Sequence, residues 1–144
     1  MSPDNRLDAA PDLPALEVLG FDNALFPVGD LAEAVAFYER AGFCVKVRFD
    51  EAGIALLGAG KETPGLLLRA EEEFGRRSPA WPAARLWLEV RDARAAGEQL
   101  TAAGIDLLDP PFSTSTGYVV EFADPWGNVI GFTDYLKRPE LARS

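Results

Sequence analysis

The chain has 144 residues, 48% of them hydrophobic, and sets 14 Lys and Arg against 23 Asp and Glu for a formal net charge of −9, with one cysteine and no histidine. Such a chain suits one soluble globular domain, or two small halves sharing a core. The lone Cys44 excludes an internal disulfide or a cysteine zinc site, so a reducing, cytoplasmic setting is the default. The lack of histidine excludes a Ser-His-Asp triad, a Cys-His dyad and His-ligated zinc. The acidity argues against a nucleic-acid partner, and no apolar run approaches the roughly 18 residues of a membrane helix.

In chain order, residues 1–15 are polar, contain Pro and Asp, and read as a disordered leader. A strand-like stretch over 17–28, with Phe21, Leu25, Phe26 and Val28, leads into a helix. Asp30 can accept the orphan amides of its first turn, and Glu33 completes a capping box. Leu31, Ala34, Val35, Tyr38 and Ala41 recur at helical spacing, a pattern that makes Tyr38 a core residue, and Gly42 supplies the left-handed stop. Strands are expected at 43–49, 53–57 and 65–69, with Cys44 read as a small buried apolar residue. Residues 73–84 are polar and broken by proline, a linker between a first module at 17–72 and a second at 85–135.

The second module repeats the first at an offset of 62 residues: Asp92 falls on Asp30, Ala96 on Ala34, Ala103 on Ala41 and Gly104 on Gly42. Residues 85–91 read as a strand, Ala93 to Ala103 as a helix with Gly97 on its inner stripe, and 105–108, 118–122 and 128–133 as strands. Between the last two, Pro125 presets φ, Asp124 can bond turn amides and Gly127 takes a positive φ, which makes a tight hairpin. Residues 137–144 are a tail, so the domain spans 16–136. The expected fold class is α+β: two tandem βαβββ modules forming a curved mixed sheet around a groove, with the helices on the outer face.

Three stretches carry a family resemblance: VGDLAEAVAFYERAGF (Val28–Phe43), its echo VRDARAAGEQLTAAGI (Val90–Ile105) and FADPWGNVIGF (Phe122–Phe132). Together they resemble the vicinal oxygen chelate superfamily, the glyoxalase, bleomycin-resistance and extradiol-dioxygenase group. In its metal-dependent members, four ligands converge in the groove, one from the first and one from the last strand of each module. The resemblance puts those positions at Asn23 and Arg85, and at Arg69 and Gly131. Guanidiniums have no lone pair to offer and stay protonated, so neither a metal nor another cofactor is expected.

Strand alternation from Asn23 and Arg85 places Leu25, Trp87 and Glu89 on the groove side. With Phe122 and Gly131 these form the candidate ligand-binding set: Asn23, Leu25, Arg85, Trp87, Glu89, Phe122 and Gly131. Trp87 offers a surface for a planar ligand and Glu89 an acceptor for a cationic one. The blander readings are a core Trp87, a solvated Glu89 and an Arg85 paired with a nearby carboxylate. The expected function is small-molecule binding in a metal-free groove by a homodimer, of the bleomycin-resistance type that sequesters an antibiotic. The alternative is a lyase, isomerase or dioxygenase of the same superfamily. Its metal-free form would use Glu89, Tyr118 or Glu121 as general base and Arg85 as enolate stabiliser.

Overall fold

The computed structural model describes residues 16, 17, 19, 21–61, 65–80 and 83–143; the expected leader at 1–15 lies outside them. In the first module β1 (Ala24–Val28) leads into α1 (Leu31–Arg40), then β2 (Cys44–Phe49), a 3-10 turn, β3 (Ile54–Gly58) and β4 (Leu66–Ala70). In the second, β5 (Leu86–Glu89) leads into α2 (Ala93–Ala102), then β6 (Phe112–Ser113), β7 (Tyr118–Ala123) and β8 (Val129–Thr133). Each helix starts where its capping aspartate accepts a backbone amide, Glu33 N to Asp30 at 2.9 Å and Ala95 N to Asp92 at 3.0 Å. Each then stops at a left-handed glycine, Gly42 (φ 99°) and Gly104 (φ 85°).

Both modules build a four-stranded sheet of the same topology, β1-β4-β3-β2 and β5-β8-β7-β6. In each, the first strand runs parallel to the last and the remaining ladders are antiparallel. The first strand is shorter than the sequence implies, because β4 begins only at Leu66, opposite Ala24, and the described residues before Ala24 have no strand to pair with. The expected strand at 105–108 is reduced to an isolated bridge, Leu107 to Phe122, and the edge of the second sheet is instead the two-residue β6. Cys44 is exposed rather than buried, since it opens an edge strand of which only Val45 packs against the core.

Alternation sorts the strands into two faces. Toward the helices point Leu86, Ile130 and Phe122 in one cross-strand row and Leu88, Phe132 and Val120 in the next. The same core holds Tyr38, Phe37, Leu57, Leu66 and Leu68 of the first module. Phe37 of α1 approaches Phe122 of β7 at 6.2 Å between ring centroids, so the two modules share one apolar interior. Gly97 of α2 faces β7, where an added Cβ would lie 3.1 Å from Val120. Its missing side chain lets helix and sheet approach closely.

Between the modules lies a buried carboxylate, Asp124. The Tyr38 hydroxyl donates to it at 2.7 Å, as do the Trp126 amide (2.9 Å), the Asn128 amide (3.0 Å) and the Asn128 side-chain amide (2.7 Å). Asn128 Nδ2 also donates to the Pro27 carbonyl of β1, tying the second module's turn to the first module's first strand. Burial pushes the Tyr38 hydroxyl far above its usual range, and the Asp124 charge and hydrogen bond push it further.

Native Tyr38 therefore keeps its proton while an unfolded tyrosine loses it near pH 10. Above that pH the native state binds more protons than the unfolded one, so stability falls as pH rises, by about 1.4 kcal/mol per unit for one group. Tyr38→Phe is expected to remove that component of the alkaline slope and to lower stability at neutral pH by about 1–2 kcal/mol. Urea unfolding across pH 7 to 11 measures both.

Candidate functional site

The face of the second sheet turned away from the helices carries a row of three residues in register, Trp87 on β5, Gly131 on β8 and Glu121 on β7. Gly131 has no side chain, and the space it leaves is where the Trp87 indole lies. A Cβ at Gly131 would sit 2.6 Å from the indole nitrogen and closer still to the neighbouring ring carbon. Laid across that glycine, the indole Nε1 donates to Glu121 Oε2 at 2.7 Å. The other carboxylate oxygen, Oε1, accepts from the Arg85 guanidinium at 2.7 Å. Glu121 is 8% exposed, whereas Trp87 remains 43% exposed, with the Phe112 ring 6.3 Å from it between centroids. The outcome is an aromatic plate fixed in orientation by one buried carboxylate, with its outer surface open.

Glu89 lies two residues beyond Trp87 on the same face. Its carboxylate accepts from the Arg143 backbone amide at 3.0 Å and from the Arg143 guanidinium at 2.8 Å. Trp87, Glu89 and Asn23 share a cavity of about 1040 Å³ that wraps the free edge of β5 and reaches Leu86, Leu88 and Phe132 on the helix side. Asn23 accepts the Gly65 amide at 3.1 Å, which helps fasten the start of β1 to β4.

Two candidate positions fall elsewhere. Phe122 is one residue on from Glu121 and so faces the helices, where it is fully buried against Phe37 and Phe132 in the core rather than lining the groove. Leu25 is on the face of the first sheet turned away from the helices, in a row with Leu67 and Leu56. It is not among the described residues around the Trp87 cavity.

Arg69 is also displaced from its expected equivalence. Leu25 pairs with Leu67 while its counterpart Trp87 pairs with Gly131, so the offset between modules is 62 at the first strand and 64 at the last. The first-module equivalent of Gly131 is therefore Leu67, and Arg69, ion-paired with Glu71 at 2.7 Å, corresponds to Thr133. Sequence reasoning placed neither Phe112 nor Arg143 beside the site. Glu121 is legible there as a carboxylate, and the structure adds that it anchors Trp87.

The donor set does not fit a divalent cation. Glu121 is the row's one carboxylate, and both its oxygens are engaged by an indole N–H and a guanidinium. Among the described residues no three His, Cys, Asp or Glu side chains group together to hold a metal. General-base chemistry is also poorly served. Tyr118 lies under the Arg94 guanidinium, 3.8 Å from its ring centroid on the α2 side, and Glu89 is held by Arg143.

The sequence profile of the Glyoxalase/Bleomycin resistance protein/Dioxygenase superfamily matches residues 20–132. The chain belongs to that superfamily. No curated protein matches it. Among solved structures, similar folds include a glyoxalase/bleomycin resistance protein/dioxygenase from Nocardioides, with 18% identity, 98% of each chain covered and a TM-score of 0.64. The fosfomycin resistance protein FosX from Listeria monocytogenes is 11% identical over 82% of this chain and 94% of its own, with a TM-score of 0.64. Lactoylglutathione lyase from Agrobacterium tumefaciens is 18% identical over 81% and 94%, with a TM-score of 0.57. At these identities the likeness is one of fold. It is the superfamily's double-module architecture that carries the Arg85–Glu121–Trp87 cluster.

Gly131→Ala is expected to drive the indole off its seat and break the bond to Glu121, with a loss of about 1–3 kcal/mol and no loss of fold. Thermal unfolding gives the destabilisation. A shifted tryptophan emission that vanishes in the Trp87→Phe background assigns it to Trp87.

Proposed function

We propose that the protein binds a planar organic molecule without a metal, stacked on Trp87 in the cavity at the edge of β5, and that sequestration of an antibiotic is its role. The observation that carries this reading is the Trp87 plate itself: seated on Gly131, pinned by Glu121, and open on its outer surface. The bond to Glu121 satisfies the indole N–H and also fixes the ring plane. A stacking surface gains from it, because the ring is pre-ordered before the ligand arrives. The superfamily's chemistry spans resistance proteins and lyases, and the engaged state of Glu121 and Glu89 favours binding over turnover. No helix among the described residues is long and apolar enough to cross a membrane, and a single exposed thiol suits a reducing, cytoplasmic setting.

Titration with bleomycin- and mitomycin-type compounds should quench tryptophan emission in the native protein. Trp87→Phe should abolish that component, leaving the two other tryptophans to report background. Added EDTA should change nothing. Quenching that survives Trp87→Phe, or that needs a metal, would sink the proposal.

The same reading includes a homodimer. Among the described residues β1 and β5 are edge strands with one free ladder each, and the face of the first sheet turned away from the helices exposes Leu25, Val47 and Phe49 together. A free edge beside a contiguous apolar face is covered in solution, and a second copy supplies the cover. Light scattering after gel filtration is expected to give twice the 15.6 kDa chain mass, and Phe49→Asp should shift the protein toward monomer. A strict monomer at micromolar concentration would rule the dimer out.

A further inference from the structure

The segment after β8 runs back across the second module and brings Arg143 onto Glu89. It starts at Asp134, fully buried, whose carboxylate accepts the amides of Ala93 (2.7 Å), Tyr118 (2.9 Å) and Leu136 (3.2 Å). Lys137 then bonds the Thr116 carbonyl through its amide at 3.1 Å and the Thr114 carbonyl through its ammonium at 3.0 Å. A short 3-10 turn, Pro139–Leu141, carries the chain onward to Arg143. Between these two ends it spans a second cavity of about 500 Å³, lined by Glu89, Val90 and Arg91 beneath and by Leu136, Pro139 and Ala142 above. The near end is therefore held by a buried carboxylate, and the far end is held by Arg143 on Glu89.

The far contact has the chemistry of ligand recognition. One carboxylate receives a backbone amide and a guanidinium together, the pair of donors that a cationic group with an adjacent N–H would offer. The Glu89 side chain is only 14% exposed, while that of Arg143 is 66% exposed, so the acceptor is built in and the donor sits at the surface. Strand rise sets Glu89 roughly 7 Å from Trp87 on the same face. A planar ring stacked on the indole would place a substituent beside that carboxylate. The larger cavity that Glu89 lines also carries Arg40 and Lys61 of the first module, Arg91, and the helix-capping Asp92, so Glu89 and Asp92 are its acidic side chains among the described residues.

Resting on the stacking site described above, we propose that Arg143 is an internal stand-in for the ligand. It occupies the Glu89 carboxylate in the unliganded protein and is displaced by the cationic group of a planar ligand, which releases residues 139–143. Glu89 is then the residue that selects charge, and the segment after β8 is a latch that sets how strongly it does so. An ion pair with one partner largely in solvent holds weakly, so removing Arg143 is expected to tighten binding of a cationic ligand by about two- to five-fold and no more.

The test uses the full chain and two matched dyes, cationic proflavine and neutral acridine at pH 8, with the exchange of the Arg143 amide hydrogen as a direct report on the latch. Glu89→Gln should speed that exchange toward the free-chain rate. Methylguanidinium should speed it in the native protein more than sodium chloride at equal ionic strength. Arg143→Ala should bind proflavine more tightly and acridine unchanged, and Glu89→Gln should erase the preference between the dyes. Equal exchange in Glu89→Gln and native protein, or equal effects of methylguanidinium and sodium, overturns the latch. Failure of both dyes to quench Trp87 would remove the stacking site instead, and the methylguanidinium arm would still decide whether Arg143 is displaceable.

Discussion

The buried carboxylate of Asp124 is the constraint on which the rest of the structure depends. Only 3% of the residue is exposed, and an ion placed so deep is tolerated only when donors replace the lost water. Its donors come from three sources: Tyr38 of the first module, the Trp126 amide of the turn, and Asn128 at the turn's end. Around the same turn, a Cβ at Gly29 would collide with the Trp126 indole, and the Arg77 amide donates to the Pro125 carbonyl at 3.1 Å. The five residues Asp124 to Asn128 thus close the β7–β8 hairpin, hold the linker, and fasten one module to the other. They also fix which residue of β7 faces which residue of β8.

That register is what builds the candidate site. Once Asp124 pairs around the turn, Glu121 must lie opposite Gly131, and the parallel ladder sets Trp87 on Gly131's other side. Each member then depends on the next. The glycine gives the indole its seat, the indole N–H and the guanidinium share the carboxylate, and the carboxylate fixes the ring plane. Arg85 is 21% exposed at its side chain and Glu121 10%, so removing either leaves a poorly hydrated charge behind. Such a pair is worth less to stability than its loss costs, which makes orientation of Trp87 the better account of what it does. The matching row of the first module, Leu25, Leu67, Leu56 and Val47, kept only apolar residues.

Local signals were legible in the sequence wherever they were self-contained. Both helices begin and end at their capping Asp and stopping Gly, because caps act within one turn. The facing of Trp87 and Glu89 followed from alternation alone. Pairing between strands was not legible in the same way. Phe21 fits a strand pattern but has no partner strand, so it stays 93% exposed outside β1. Arg69 was misplaced because the two modules differ by two residues in the distance from first strand to last, which an ungapped repeat cannot show. Glu121 had a usable signal: the Asp124–Asn128 turn is symmetric, and counting outward from it pairs Glu121 with Gly131 and sends Phe122 to the core. Arg143 had none, since nothing local links it to a carboxylate 54 positions away.

The net charge of −9 bears on the site less than its size implies. Charges scattered over the surface raise the local concentration of a cation and speed its arrival, and they are screened beyond roughly 8 Å at physiological salt. Selection between a cationic and a neutral ligand has to occur at contact. At contact, both carboxylates of this face already hold guanidiniums of their own chain, Glu121 holding Arg85 and Glu89 holding Arg143. The two pairs differ in what can replace the arginine. Arg85 stands at the start of β5, largely enclosed, and its removal would free the ring that Glu121 orients. Arg143 lies in a segment that Asp134 secures independently nearer β8, and its guanidinium sits at the surface rather than within either sheet. One pair is therefore enclosed beside the row that seats Trp87, and the other joins a nearly buried carboxylate to a guanidinium at the surface.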